Sequence, residues 1–487
     1  MKRILFFTLL VLALKANAQV YFDSTYKVAG SISSPSWSVI EDNDYFYLAG
    51  DYNTPGNLAL NFCIRKLDAF GNKIWEKHYG DSINSYWVGW ASMSKTHDSC
   101  FVVAVDYQEP ALSQNTMCLV KFNQNGDTLW MRKYHTSYRI ESAQVQMTPD
   151  KGFICVGATD STDGYPHHDI TLIKTDSLGY KKWQKFYHKT GNERAFSVET
   201  MDDEGYIIGG WCDEPIGKGL IYRTDSLGNL IYSHFYGSGW DNGGSAVKNL
   251  QDSTYAISYT FGYSNDGGAT VHYKTRLAKL RNNNQLLWEK EYGPMTHAII
   301  GYKIIEENNM NLSIIGNISD SASQHISGFI LKTDSLGNQI FFRMYDHLTN
   351  ASDQNYLYDF RKTSDNGYVA AGFCLGSGNP QQAWVIRVDS MGCQIPGCNV
   401  MVIELEEPTR NILIYPNPTN NQITIQTTQS KNSFILSIFN SIGKEVIKQN
   451  VNPQENEVKI DVSTLPPGIY FVKIQNYTGK FVKVNSE

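Results

Sequence analysis

One hairpin is written seven times along this chain, and that repetition limits the folds open to it more than any other feature. The copy ILKTDSLGNQIFFRMYD, Ile330 to Asp346, shows the pattern. Its turn glycine recurs at Gly71, Gly126, Gly179, Gly228, Gly337 and Gly392, with Asn284 in the fifth copy. Asn is the residue that best tolerates the left-handed backbone that Gly supplies, so Asn284 counts as a genuine copy. The unit is about fifty residues long, the size of a propeller or solenoid repeat.

Each copy has fixed companions. Five residues before the anchor stands a cation: Lys66, Lys121, Lys174, Arg223, Lys279, Lys332 or Arg387. Three before it stands Asp68, Asp176, Asp225, Asp334 or Asp389, with Asn123 and Arg281 as exceptions. An Asp heading a turn bonds the backbone ahead of it. The cation two residues away shares its strand face, so a neighbouring ion pair is expected. Four residues after the anchor comes Trp75, Trp130, Trp183, Tyr232, Trp288 or Phe341. Eight after comes Tyr79, Tyr134, Tyr187, Tyr236, Tyr292 or Tyr345. A spacing of four puts both rings on one strand face, where they pack against a neighbouring sheet.

Upstream of each hairpin lies a Gly-rich strand, as in GFICVGATD at 152–160, and before it a shorter one. Four strands per unit is the blade of a β-propeller. The seventh unit fails after Gly392, where Pro396 replaces the aromatic of the fourth strand. The segment VYFDSTYKVAG supplies a pair with the right spacing, Phe22 and Tyr26. It is expected to complete the last blade and leave no open sheet edge. The expected fold is all-β: a seven-bladed β-propeller over 19–398, its N-terminal strand closing the last blade, followed by a small Ig-like sandwich. The copies at 152–187 and 205–237 also resemble a bacterial propeller repeat family, over about 20–392. That resemblance implies the fold and no particular activity.

The chain start, MKRILFFTLLVLALKANAQV, has a basic n-region, a short apolar core and an Ala16-Asn17-Ala18 cleavage site. Residues 1–18 are expected to be a signal peptide, cut between Ala18 and Gln19. Later apolar runs are too short to span a membrane as a helix. The net charge of −6 speaks against a nucleic-acid partner. Among eight cysteines, Cys393 and Cys398 flank a Pro-Gly turn in GCQIPGC and are expected to form a disulfide. The other six lie in strand-like runs and are expected to be buried thiols.

After an acidic join at 399–409, residues 410–487 break into short strands punctuated by Pro and Gly. Tyr415-Pro416-Asn417-Pro418, a strand and turn ending at Gly443, then Gly468 and Tyr470 in LPPGIY, and a basic final strand follow in order. This segment resembles the type A C-terminal sorting domain of the type IX secretion system of Bacteroidetes. The resemblance implies export across the outer membrane, with the secretion machinery as partner and a secreted or surface-attached product.

Chemistry is harder to find. Ser92-x-x-Lys95 stands without companion motifs, and no zinc-protease, P-loop or nucleophile-elbow pattern occurs. The loop holding Asp160, Asp163, His167, His168 and Asp169 offers metal-type ligands, but other units do not repeat them. Trp240 and Asp241 sit in a Gly-rich loop that suits a sugar ring. No catalytic, cofactor or metal residue is assigned. The expectation is a monomeric, non-catalytic binding module taking a glycan or protein on its loops. The alternative is an exported polysaccharide- or peptide-degrading enzyme, which would place two carboxylates in one deep cleft at the channel mouth.

Overall fold

The structure is a computed structural model. It describes residues 20–485 apart from 58, 110–113, 137, 161–167, 189–190, 214–217, 238–245, 265–270, 295–296, 321–323, 396–397, 399–412, 427–433, 441–443, 453–456 and 475–476. The expected signal peptide with Ala18 and Gln19, the join at 399–409, Gly443, Asp163, His167, Trp240 and Asp241 all lie outside the described residues. The chain divides into two compact units, Met1–Asn399 and Val400–Glu487.

The first unit is a seven-bladed β-propeller. Blade 1 contains Ser38–Asp42, Tyr45–Tyr52, Asn61–Leu67 and Lys73–Tyr79, paired in chain order. Blades 2 to 5 repeat this antiparallel order over 85–134, 140–187, 193–236 and 246–292. Blade 6 spans 297–345 and blade 7 begins at 354, a single bridge between Ile326 and Gln354 joining them. Blade 7 has three strands of its own, ending with Gln381–Val388. Its fourth is Phe22–Tyr26, antiparallel to that strand from Phe22 opposite Arg387 to Tyr26 opposite Ala383. The chain's beginning therefore clasps its last blade and removes the open edge that the missing strand would leave.

Packing closes the ring. Each pair of neighbouring blades shares an apolar cluster, including one between blades 7 and 1 built from Tyr26, Val39, Phe46, Val369 and Val385. The repeated aromatics explain how the blades lock. The tyrosine eight residues past each turn donates its hydroxyl to the turn carbonyl of the next blade. Tyr134 reaches Gly179 at 2.8 Å, Tyr187 reaches Gly228 at 2.7 Å, Tyr292 reaches Gly337 at 2.7 Å and Tyr345 reaches Gly392 at 2.8 Å. Tyr79 does the same to Gly126. The aromatic at four packs against the same turn. A Cβ at Gly337, where φ is 76°, would stand 2.7 Å from the Trp288 ring. Where the turn residue is Asn284, φ 64°, the facing aromatic is the smaller Tyr232 and Tyr236 bonds the Asn284 Oδ1 instead.

The expected ion pair within the hairpin does not form. The turn aspartates accept backbone amides, as Asp225 does from Leu227 at 2.9 Å and Asn229 at 2.7 Å. The cations turn to a different acid, on the turn joining the first two strands of their own blade. Lys121 pairs with Asp98, Lys174 with Asp150, Arg223 with Asp203, Lys279 with Asp252, Lys332 with Glu307 and Arg387 with Asp365. Sharing a strand face was not enough, because the turn Asp spends its oxygens on amides. Lys66 lies over the Tyr45 ring at 4.0 Å. Cys393 and Cys398 are bonded, S–S 2.04 Å. Cys63, Cys118, Cys155, Cys212 and Cys374 are buried thiols, and Cys100 is half-buried.

The second unit is a small sandwich. One sheet orders Leu413–Tyr415, Gln422–Gln426 and Glu457–Asp461; the other orders Glu445–Val451, Phe434–Asn440, Gly468–Ile474 and Tyr477–Lys483. Ile423, Ile425, Leu436, Ile438, Val472 and Phe481 fill the space between them. Tyr415-Pro416 and Asn417-Pro418 are both cis. Asn417 ties this loop to the last strand, donating to the Lys480 carbonyl at 3.0 Å and accepting from the Val482 amide at 2.9 Å. Tyr470 is buried and bonds the Pro466 carbonyl at 2.7 Å.

Candidate functional site

The first strand of each blade faces the channel, and several carry a bulge there. Pairing breaks between Val88 and Met93, Ser142 and Gln144, Ala195 and Ser197, Gly301 and Lys303, and Leu357 and Asp359. A bulge re-aims the extra residue. Those residues include Trp90, Phe196, Tyr302 and Tyr358, and they meet. Trp90 stacks on Phe196 at 5.7 Å and on Tyr358 at 5.5 Å, and Tyr302 lies 4.8 Å from Tyr358. Trp37 abuts Tyr358 edge-on at 5.2 Å. Aromatic rings from blades far apart in sequence thus plug the propeller's middle.

Two larger cavities adjoin this aromatic cluster. On the side of the strand residues that precede the bulges lies a cavity of about 570 Å³. Trp37, Trp87, Trp90 and Phe196 give it aromatic walls; Gln108, Asn115, Arg139, Glu141 and Arg194 give it polar ones. Trp90 remains 40% exposed. Beyond the bulges lies a cavity of about 400 Å³. Four of the cations lining it are engaged: Lys248 with Glu199 at 2.6 Å, Lys95 with Asp42, and Lys303 and Arg361 both with Asp359. Burial lowers the Lys303 pKa to about 8.

Among the carboxylates lining the larger cavity are Asp51, which is buried, and Asp106, which is half-buried. Asp51 and Asp106 occupy one repeat position, opposite the residue nine before the turn anchor: Phe62 and Met117 respectively. In later blades that position is Ala158, Trp211, Thr260, Asn317 and Phe373. Burial raises the Asp51 pKa to about 6, against the pull of the Trp37 indole and Val88 amide. Burial raises Asp106 to about 7, against the Ser142 amide. Both acids tie one blade to the next strand's backbone. Asn317 does that work uncharged, accepting the Leu357 amide at 2.8 Å. A charge at Asp51 or Asp106 is therefore not needed for the architecture.

Around them, Glu141 is held by Arg139 at 2.7 Å and Arg194 at 3.3 Å. Arg194 also reaches His168 Nε2 at 2.9 Å. Burial, helped by Arg194, lowers the His168 pKa. An imidazole that accepts from a guanidinium carries its proton on Nδ1, which faces Asp160 at 3.6 Å. The metal-type loop is thus divided. His168 turns toward Arg194, while Asp169, next along the strand and on its other face, meets His188 Nδ1 at 2.7 Å. Ser92 is buried on the channel strand and Lys95 pairs with Asp42, so they form no catalytic dyad.

Residues 413–484 match the family described as secretion system C-terminal sorting domain. No curated protein matches the chain. Among solved structures, an α-L-arabinanase of Penicillium chrysogenum is 11% identical, with a TM-score of 0.39, covering 61% of this chain and 92% of its own. The β-propeller domain of the Trilobed protease from Pyrococcus furiosus is 6% identical, with a TM-score of 0.44, covering 73% of this chain and 94% of its own. The C-terminal unit is a type IX sorting domain, and the protein is exported to the cell surface or beyond.

Proposed function

We propose that this exported propeller binds a carbohydrate in the cavity walled by Trp37, Trp87, Trp90 and Phe196. The carrying observation is the combination of aromatic faces with polar edges in one concave space. Sugar rings stack their C–H faces on aromatics and offer hydroxyls to groups such as Arg139, Glu141 and Gln108. The volume falls in the range of small-molecule sites, roughly 300–1,000 Å³. In this reading residues 1–18 direct the chain to the periplasm, residues 19–398 are the monomeric binding unit, and 410–487 serve export. A glycan array on the purified protein tests it: a hit with wild type that disappears in Trp90→Ala supports the site, and no hit on any glycan overturns it.

A second reading, hydrolysis of the bound glycan, is favoured by Asp51 and Asp106. Two acids of one cavity differ in proton affinity. With a pKa of about 7, Asp106 is about half protonated at neutral pH and can give a proton to a leaving oxygen, while Asp51, at about 6, is the more ionised of the two and can serve as base or nucleophile. Release of reducing ends by wild type, lost in Asp106→Asn with binding intact, separates this reading from simple recognition.

A further inference from the structure

We propose that Asp169, His188 and Glu193 hold a divalent transition-metal cation, zinc by chemistry, across the seam between blades 3 and 4. This site is independent of the aromatic cavity.

Asp169 opens the third strand of blade 3, His168–Thr175, and is 1% exposed. His188 directly follows that blade's fourth strand, Lys181–Tyr187, and keeps an exposed ring edge. Glu193 opens the first strand of blade 4 and is fully buried. One donor atom from each of the three lies within 4.8 Å of the other two. A thiol stands beside Glu193, at the edge of this set. Cys212 is directly opposite Glu193 in the blade 4 ladder, and its Sγ lies 3.8 Å from Glu193 Oε1. Cys212 is buried as well.

Two carboxylates brought this close inside a protein repel each other, and a shared cation removes the repulsion. Zinc bonds of about 2.0–2.2 Å set tetrahedral ligands about 3.3–3.5 Å apart, so the Asp169, His188 and Glu193 donors, within 4.8 Å of one another, need small shifts to reach one ion. An imidazole beside two carboxylates favours zinc over calcium or magnesium, which want six or more oxygens. His188 Nδ1 lies 2.7 Å from Asp169 Oδ1, a hydrogen bond that two bonds to the ion would replace. The Asp169 and His188 ligands come from one blade and Glu193 from the next, so a bound ion would pin the seam.

The test uses the full chain, stripped with chelator and dialysed. Zinc added in small excess is expected to bind at one equivalent by inductively coupled plasma mass spectrometry and to raise Tm by several degrees, while calcium and magnesium do neither. Cobalt is expected to give the visible absorption of a tetrahedral site. His188→Gln alters an exposed ring and leaves the buried pair in place; it is expected to lose the stoichiometric zinc and the Tm shift. Glu193→Gln is expected to do the same. Wild type with no retained zinc and an unmoved melt would overturn the proposal. A zinc effect that survives in His188→Gln would overturn it equally.

Discussion

Tyr26 Oη donates to the carbonyl oxygen of Gly71 at 2.5 Å. This is the bond that Tyr345 makes to Gly392 and Tyr292 to Gly337, made here by a strand from the opposite end of the propeller. The clasp therefore reproduces the seam used between continuous blades. Tyr26→Phe is expected to cost about 1 kcal/mol, the worth of one neutral hydrogen bond, and Tyr292→Phe about the same. Removing 20–28 is expected to lower Tm far more, since it also strips the Gln381–Val388 edge. Equal melts for truncated and intact chains would show that the clasp contributes nothing.

The pairing of Tyr232 with Asn284 predicts a compensated double change. Gly337→Asn alone forces a Cβ against Trp288 and is expected to destabilise by about 1–3 kcal/mol. Trp288→Tyr alone loses buried ring area. Together they copy the blade 4 to blade 5 seam, so the double variant is expected to be more stable than the sum of the single losses. Additive losses in chemical denaturation would refute the idea.

Asp106 gives a pH signature. Its folded-state pKa, about 7, lies above the unfolded carboxylate value near 4. The folded chain holds that proton more tightly, so this group's penalty is absent at pH 4, grows as pH rises and is complete above 7. Asp106→Asn keeps an acceptor for the Ser142 amide, as Asn317 does for Leu357. It is expected to stabilise the protein by about 1–3 kcal/mol at pH 8 and by little at pH 4. A gain independent of pH would place the effect elsewhere.

Each unit has its own core, so a fragment of 20–398 is expected to melt cooperatively near the propeller transition of the full chain. Loss of 413–484 is expected to leave the passenger folded but held in the periplasm, read by fractionation. A molten fragment, or one still delivered to the surface, would contradict that division of labour.

The ring, the clasp and the sorting tail were legible because they rest on spacing. Turn glycines, aromatic pairs and the YPNP-to-LPPGIY order are one-dimensional signals. The cavity was not. Trp37, Trp90 and Phe196 stand at different offsets in their units, and a bulge, invisible in sequence, decides which residue enters the channel. Asp51 and Asp106 are equivalent only through strand register, because loops of variable length hide their common place. The partner of the repeated cations was misread for a related reason: Lys174 and Asp150 are 24 positions apart and meet only across the blade.

The clasp also sets a clock on synthesis. Trp384 donates its indole N–H to Asp23, a partner 361 positions earlier. At about 5–20 residues per second, the first strand is finished about 20–70 s before its mate exists. Throughout that wait it carries a bare ladder of amides and carbonyls. A chain bound for another compartment gains from the delay, because a ring that cannot shut stays threadable until its last blade has been made.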